Sequence, residues 1–122
     1  MAIVQTLPTP DVVVPAEAVV GEGPVWDHRT GHLVWVDILA GAIHETDLAT
    51  GHQTTATLDT LVGAAAPRAA ADGFAVAVAD GFGFFVDATC TIADPVLPEP
   101  HRRMNDAKCD SSGRLWAGSN HM

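Results

Sequence analysis

The residues best suited to chemistry lie toward the end of the chain, in Arg102-Arg103-Met104-Asn105-Asp106-Ala107-Lys108-Cys109-Asp110 and on to Gly118. Arg102, Arg103, Lys108 and Arg114 are four of the six basic residues in 122, while the formal net charge is -9. A local reversal of charge makes a patch that can hold a polar or anionic ligand. On charge alone the same stretch reads equally well as a solvated turn with compensating charges, with Arg103 a rim charge and Asn105-Asp106 a turn pair bonded to its own backbone. Glu22 is the other candidate. Set between Gly21 and Gly23 and ahead of Pro24, it reads by itself as an exposed turn glutamate.

Other chemistries fail on spacing. Six histidines raise the question of zinc, but there is no HExxH, and His28 and His32 straddle a turn at Gly31 instead of sharing a helix face. Asp106 to Ala117 is not an EF-hand loop: Lys108, Ser111 and Ala117 stand where a ligand, a glycine and a glutamate are needed. No Gly-x-Ser-x-Gly elbow supports a serine esterase. Cys90 and Cys109 form no metal-type pair and are expected as free thiols.

The elements that must position these residues are strands. A 48% hydrophobic content, with three Trp and four Phe, suits one small packed domain. The acidic balance argues against nucleic acid and against an anionic membrane surface. Met1 to Val20 has no basic start, and Pro8, Pro10 and Pro15 interrupt it, so no signal peptide is expected. Arg68, Asp72 and Asp80 break the alanine-rich run from Leu61 to Val86, which excludes a membrane span. A cytoplasmic location is the expectation.

Residues 1–15 read as an extended leader. Gly21–Asp27, His32–Ile38 and Ala42–Asp47 then read as a meander, the second strand buried on both faces and the third half-buried by alternation. Phe74–Ala79 and Phe82–Asp87 repeat the pattern, with the Phe82-Gly83-Phe84-Phe85 run expected in the core. A third copy starts at Asp110-Ser111-Ser112-Gly113. The turn glycines Gly31, Gly73 and Gly113 recur about every 41 residues, the period of a β-propeller blade. The expected fold is therefore all-β, a partial propeller of just under three blades, with residues 16–122 as the propeller portion. An open stack of blades would expose strand edges, which invites aggregation, self-association or completion by another chain.

Gly21-Glu22-Gly23-Pro24-Val25-Trp26, Trp35-Val36-Asp37-Ile38, Arg103-Met104-Asn105-Asp106-Ala107-Lys108 and Gly113-Arg114-Leu115-Trp116-Ala117-Gly118 resemble the gluconolactonase, regucalcin and senescence-marker-protein family. The order and separation of the motifs resemble the N-terminal part of its six-bladed propellers. The resemblance implies hydrolysis of a sugar lactone with a divalent cation, Ca, Zn or Mn, at the propeller centre. It implies Glu22 as a metal ligand and Arg103 and Asn105 as substrate contacts. A cation would polarise the lactone carbonyl and acidify a bound water, while the Arg and Asn donors orient ring oxygens and stabilise developing charge.

The departures from the family pattern carry their own expectations. The family's remaining metal ligands, an Asn and the Asp that also moves protons, lie beyond the stretch matched here, so no catalytic acid or base is assigned. Ala107 stands where Gly is usual, and Ser119-Asn120-His121-Met122 leaves the pattern, as a truncated frame would. The chain alone is expected to lack metal-dependent turnover. The alternative is a non-catalytic β-repeat fragment that binds cations weakly or associates with itself.

Overall fold

A computed structural model describes residues 5–96 and 99–122; the first four residues of the expected leader lie outside them. Among the described residues there is no helix. Ten strands among the described residues form three antiparallel sheets. The first sheet is β1 (Gly21–Asp27), β2 (His32–Asp37), β3 (Ala42–Thr46) and β4 (Gln53–Thr57), in sequence order. The second is β5 (Val62–Pro67), β6 (Phe74–Val78), β7 (Phe82–Val86) and β8 (Thr89–Asp94), also in sequence order. β9 (Arg102–Cys109) and β10 (Leu115–His121) pair with each other as the third. Two complete four-stranded propeller blades and the first half of another result.

Each sheet opens with a hairpin whose turn contains a glycine at positive φ. Gly31, Gly73 and Gly113 adopt φ of 72°, 78° and 80°, the left-handed region that glycine enters without a Cβ penalty. These are the residues whose recurrence marked the repeat. Gly31 N donates to Asp27 O at 2.8 Å, and Gly113 N donates to Asp110 O at 3.1 Å. The two-residue turn between β7 and β8 uses Asp87 and Ala88, at φ of 49° and 61°, a geometry normally left to Asn and Gly.

The core lies between the first two blades. Val34, Val36, Ile38 and Ile43 from one sheet meet Val62, Ala65, Phe74, Val76 and Val78 from the other, all buried. β2 is buried through Val34-Trp35-Val36-Asp37 as its composition suggests. β3 departs from clean alternation: Ala42, Ile43 and Thr46 are buried, and His44 is half-buried because its ring stacks on Trp35 with centroids 4.1 Å apart. The phenylalanine run also divides by strand parity. Phe85 is buried in the core, while Phe84 is 41% exposed under the guanidinium of Arg68, 4.6 Å from the ring. A smaller cluster of Ala64, Ala77, Met104 and Ala107 joins the second blade to the third.

Two buried carboxylates fix the first blade. Asp37 accepts from Val19 N at 2.7 Å and Val20 N at 2.9 Å, tying the strandless stretch ahead of β1 to β2. Burial pushes this carboxyl up, but the backbone donors of Val20, Val19 and Ala40 outweigh it and hold it below the usual range. Asp27, fully buried, pairs with Arg29 at 2.8 Å. The same guanidinium donates to Arg68 O at 3.1 Å and Ala71 O at 2.8 Å. It thus clasps the opening hairpin of the second blade.

Candidate functional site

β1, β5 and β9 are the inner strands of their blades, and each is irregular at the same level. In β1 the register slips between Glu22 and Val25, so that Gly23 and Pro24 together oppose Trp35. In β5 it slips between Val62 and Ala64, leaving Gly63 unpaired. In the third sheet Met104 pairs with Ser119 and Ala107 with Ala117, so Asn105 and Asp106 together oppose Gly118. β-bulges bend a strand and re-aim its side chains, and they concentrate beside functional sites. Asn105-Asp106 is therefore a mid-strand bulge rather than a turn pair.

The three bulges converge. A Cβ built on Gly63 would lie 2.3 Å from Asn105 O and 2.7 Å from Met104 O, so β5 and β9 approach only because position 63 has no side chain. Gly23, at φ of 57°, is the matching point on β1: a Cβ there would lie 3.7 Å from Asp106 Oδ1 and 3.9 Å from Gly63 O. Inner strands from all three sheets thus meet around Gly23, Gly63 and Asn105-Asp106. Glu22 adjoins this point on β1, and its side chain is exposed.

Arg103 and Asn105 are brought together as a pair. Arg103 Nη1 donates to Asn105 Oδ1 at 3.0 Å and to Met104 O at 3.2 Å. With its oxygen engaged, the Asn105 amide still has two N–H donors to offer a ligand. Both side chains are half-buried, so each retains donors for a ligand rich in oxygen. Asp106 Oδ1 accepts from Ala107 N at 2.9 Å, which holds its carboxylate beside Gly23. Glu22 shares no hydrogen bond with Arg103 or Asn105 among the described residues. Sequence reasoning missed Gly63 and the bearing of Asp106 on Gly23. The available signal was a lone glycine inside an alanine-rich strand.

Among the described residues no three His, Cys, Asp or Glu side chains gather closely enough to hold a metal ion. The carboxylates at the convergence, Glu22 and Asp106, fall well short of the roughly 6–8 oxygens of Ca²⁺ or the roughly four ligands of Zn²⁺. The residues present do not by themselves fit a resident cation.

The family described as "SMP-30/Gluconolactonase/LRE-like region" matches residues 20–122. The chain belongs to that family. It is 38% identical over 117 residues to the Bacillus subtilis protein YvrE, whose name assigns it provisionally to the sugar lactone lactonases; the match covers 92% of this chain and 40% of that protein. It is 37% identical over 111 residues to the 6-deoxy-6-sulfogluconolactonase of Pseudomonas putida, covering 88% and 38%. Among solved structures, a calcium-binding protein, regucalcin, from Agrobacterium tumefaciens superposes with a TM-score of 0.79 at 29% identity, covering 85% of this chain and 36% of that one. The chain therefore spans about two fifths of the length of the curated relatives it matches, and its fold is that part of a β-propeller. No helix among the described residues is long and apolar enough to cross a membrane.

Proposed function

We propose that residues 16–122 form one portion of a sugar-lactone hydrolase of the propeller type, following a leader at 1–15, and that this portion supplies the sugar-binding side of the site. The observation that carries the reading is the convergence of bulges from β1, β5 and β9 on Gly23, Gly63 and Asn105. Arg103 and Asn105 are its substrate contacts. Their N–H groups suit the ring and hydroxyl oxygens of a sugar lactone, and donors aimed at a developing oxyanion favour acyl transfer. Glu22 would serve as one ligand of a divalent cation, Ca, Zn or Mn. The cation would supply a polarised carbonyl and an acidified water in the family's reaction. The remaining ligands and the proton-transferring carboxylate are not among the described residues, so no hydrolytic step is assigned to this chain alone. The lactonase names of two relatives support the substrate class.

We place the protein in the cytoplasm, in keeping with its acidic balance and free thiols Cys90 and Cys109. Exposed Phe84, Ile92 and Trp116, at 41%, 39% and 63%, favour self-association through open blade faces as a second reading.

The test is hydrolysis of D-glucono-1,5-lactone with Ca²⁺, Mn²⁺, Zn²⁺ or EDTA. The expected outcome is saturable binding that Arg103→Ala weakens about tenfold, with no metal-dependent turnover. Turnover abolished both by EDTA and by Glu22→Ala would overturn the division of labour proposed here.

A further inference from the structure

The inner strands have a second end. β1, β5 and β9 approach one another at Gly23, Gly63 and Asn105 and each continues toward its C-terminal end beyond that point. From Gly23 onward their C-terminal halves line an open cavity of about 370 Å³, which reaches Ala107 and Lys108 on β9 but not Arg103 or Asn105. That volume is within the range of small-molecule sites. Val25, Ala64, Ala65, Ala66, Pro67 and Ala107 make its apolar wall, while His28, Arg68 and Lys108 stand on its margin.

Charge decides what such a cavity accepts. Asp27 is the sole carboxylate of the lining, and it is fully buried and neutralised by Arg29. Asp110, just past β9, is engaged by Arg114 and by the Trp116 indole. Lys108 forms no ion pair among the described residues, whereas the Arg68 guanidinium donates to Asp72 O at 3.1 Å and lies over the Phe84 ring. In a chain of net charge -9 this mouth carries in Lys108 a cation without a counterion among the described residues. An apolar chamber with a cationic rim discriminates against neutral polyols, which find few hydrogen-bond partners there, and against bare inorganic anions, which would leave the wall unfilled.

We propose that this cavity binds a small organic anion with an apolar body, an aliphatic or aromatic monocarboxylate, with Lys108 meeting the carboxylate. The site borders the convergence at Gly23 but contains neither Arg103 nor Asn105, and it does not rest on the sugar-lactone reading. The apolar body displaces water from the alanine and proline wall, and the carboxylate remains at the wet rim. No covalent step is involved.

The experiment is titration of the full chain with benzoate and with benzamide, its neutral analogue, by calorimetry and by amide chemical-shift mapping. Benzoate is expected to bind at least about tenfold tighter than benzamide and to weaken as salt rises. The shifted amides should be those of Ala66, Ala69, Ala107 and Lys108. Lys108→Ala should lose about tenfold in benzoate affinity, Lys108→Arg should retain most of it, and Arg103→Ala should leave it unchanged. Equal binding of the two probes, shifts confined to Gly63, Asn105 and Arg103, or full affinity in Lys108→Ala would each overturn the proposal. Because Arg103→Ala reports on the other end of the strands, failure here and failure of the lactone reading give different patterns.

Discussion

The hairpins that open the first and third blades use one device in two settings. Each begins with an aspartate whose carboxylate binds a nearby arginine, at 2.8 Å for Asp27–Arg29 and 2.7 Å for Asp110–Arg114. In the first blade the aspartate side chain is 0% exposed, and the arginine reaches across to two carbonyls of the second blade. In the third, the arginine is 70% exposed and lies 5.7 Å from the Trp116 ring of its own hairpin. A turn motif closes a hairpin wherever it occurs. Its worth to stability depends on whether a neighbouring blade takes the charge out of water.

Substitutions can break or sharpen that contrast. The largest effect is expected where two blades touch through backbone: Gly63→Val places a side chain on the Asn105 carbonyl and should cost more than about 4 kcal/mol, read as loss of a cooperative urea transition. Asp27→Asn comes next. It strands a guanidinium that also serves the second blade, and should cost about 3 kcal/mol in the same assay. Val36→Ala, in the fully buried interface, should cost about 2 kcal/mol. Asp110→Asn should give the smallest change, with a urea midpoint close to that of the parent chain. A midpoint shift as large as that of Asp27→Asn would contradict the contrast.

The pH dependence sharpens it further. Hydrogen bonding to Arg29 holds the Asp27 carboxyl below its usual range. The Trp116 indole, followed by the Arg114 and Ser112 contacts, takes Asp110 down to about 2. A lowered carboxyl stabilises the fold fully above its unfolded pKa, about 4, and loses that stabilisation as pH falls through the folded value. The stability gap between the parent chain and Asp27→Asn should therefore be constant from pH 7 to about 5 and shrink steadily below about pH 4. A gap that widens with acid would contradict the assignment of the stabilisation to an ionised Asp27.

The sequence made some parts of the molecule legible because side-chain chemistry there decides local shape. Gly31, Gly73 and Gly113 announced the blade period through the positive φ their hairpins need. His32–Asp37 announced a buried strand through its β-branched run. β5 stayed hidden because Val62–Pro67 is mostly alanine, glycine and proline, residues chosen for the close approach of β9 rather than for strand propensity. β8 stayed hidden because its turn, Asp87-Ala88, lacks the expected glycine. Exposed β4 offered no buried face to pattern. At the site, Glu22, Arg103 and Asn105 were legible only as parts of familiar motifs. That they stand beside three converging bulges is a property of strand register, which a linear reading does not contain.

The most direct measurement of the central claim is amide chemical-shift mapping with 1,5-anhydroglucitol, a sugar ring that lacks the lactone carbonyl and cannot be hydrolysed. Shifts centred on Gly23, Gly63, Asn105 and Asp106, and lost in Arg103→Ala, are the predicted result. Shifts absent from all four residues, or unchanged in Arg103→Ala, would contradict a sugar site at the convergence of the inner strands.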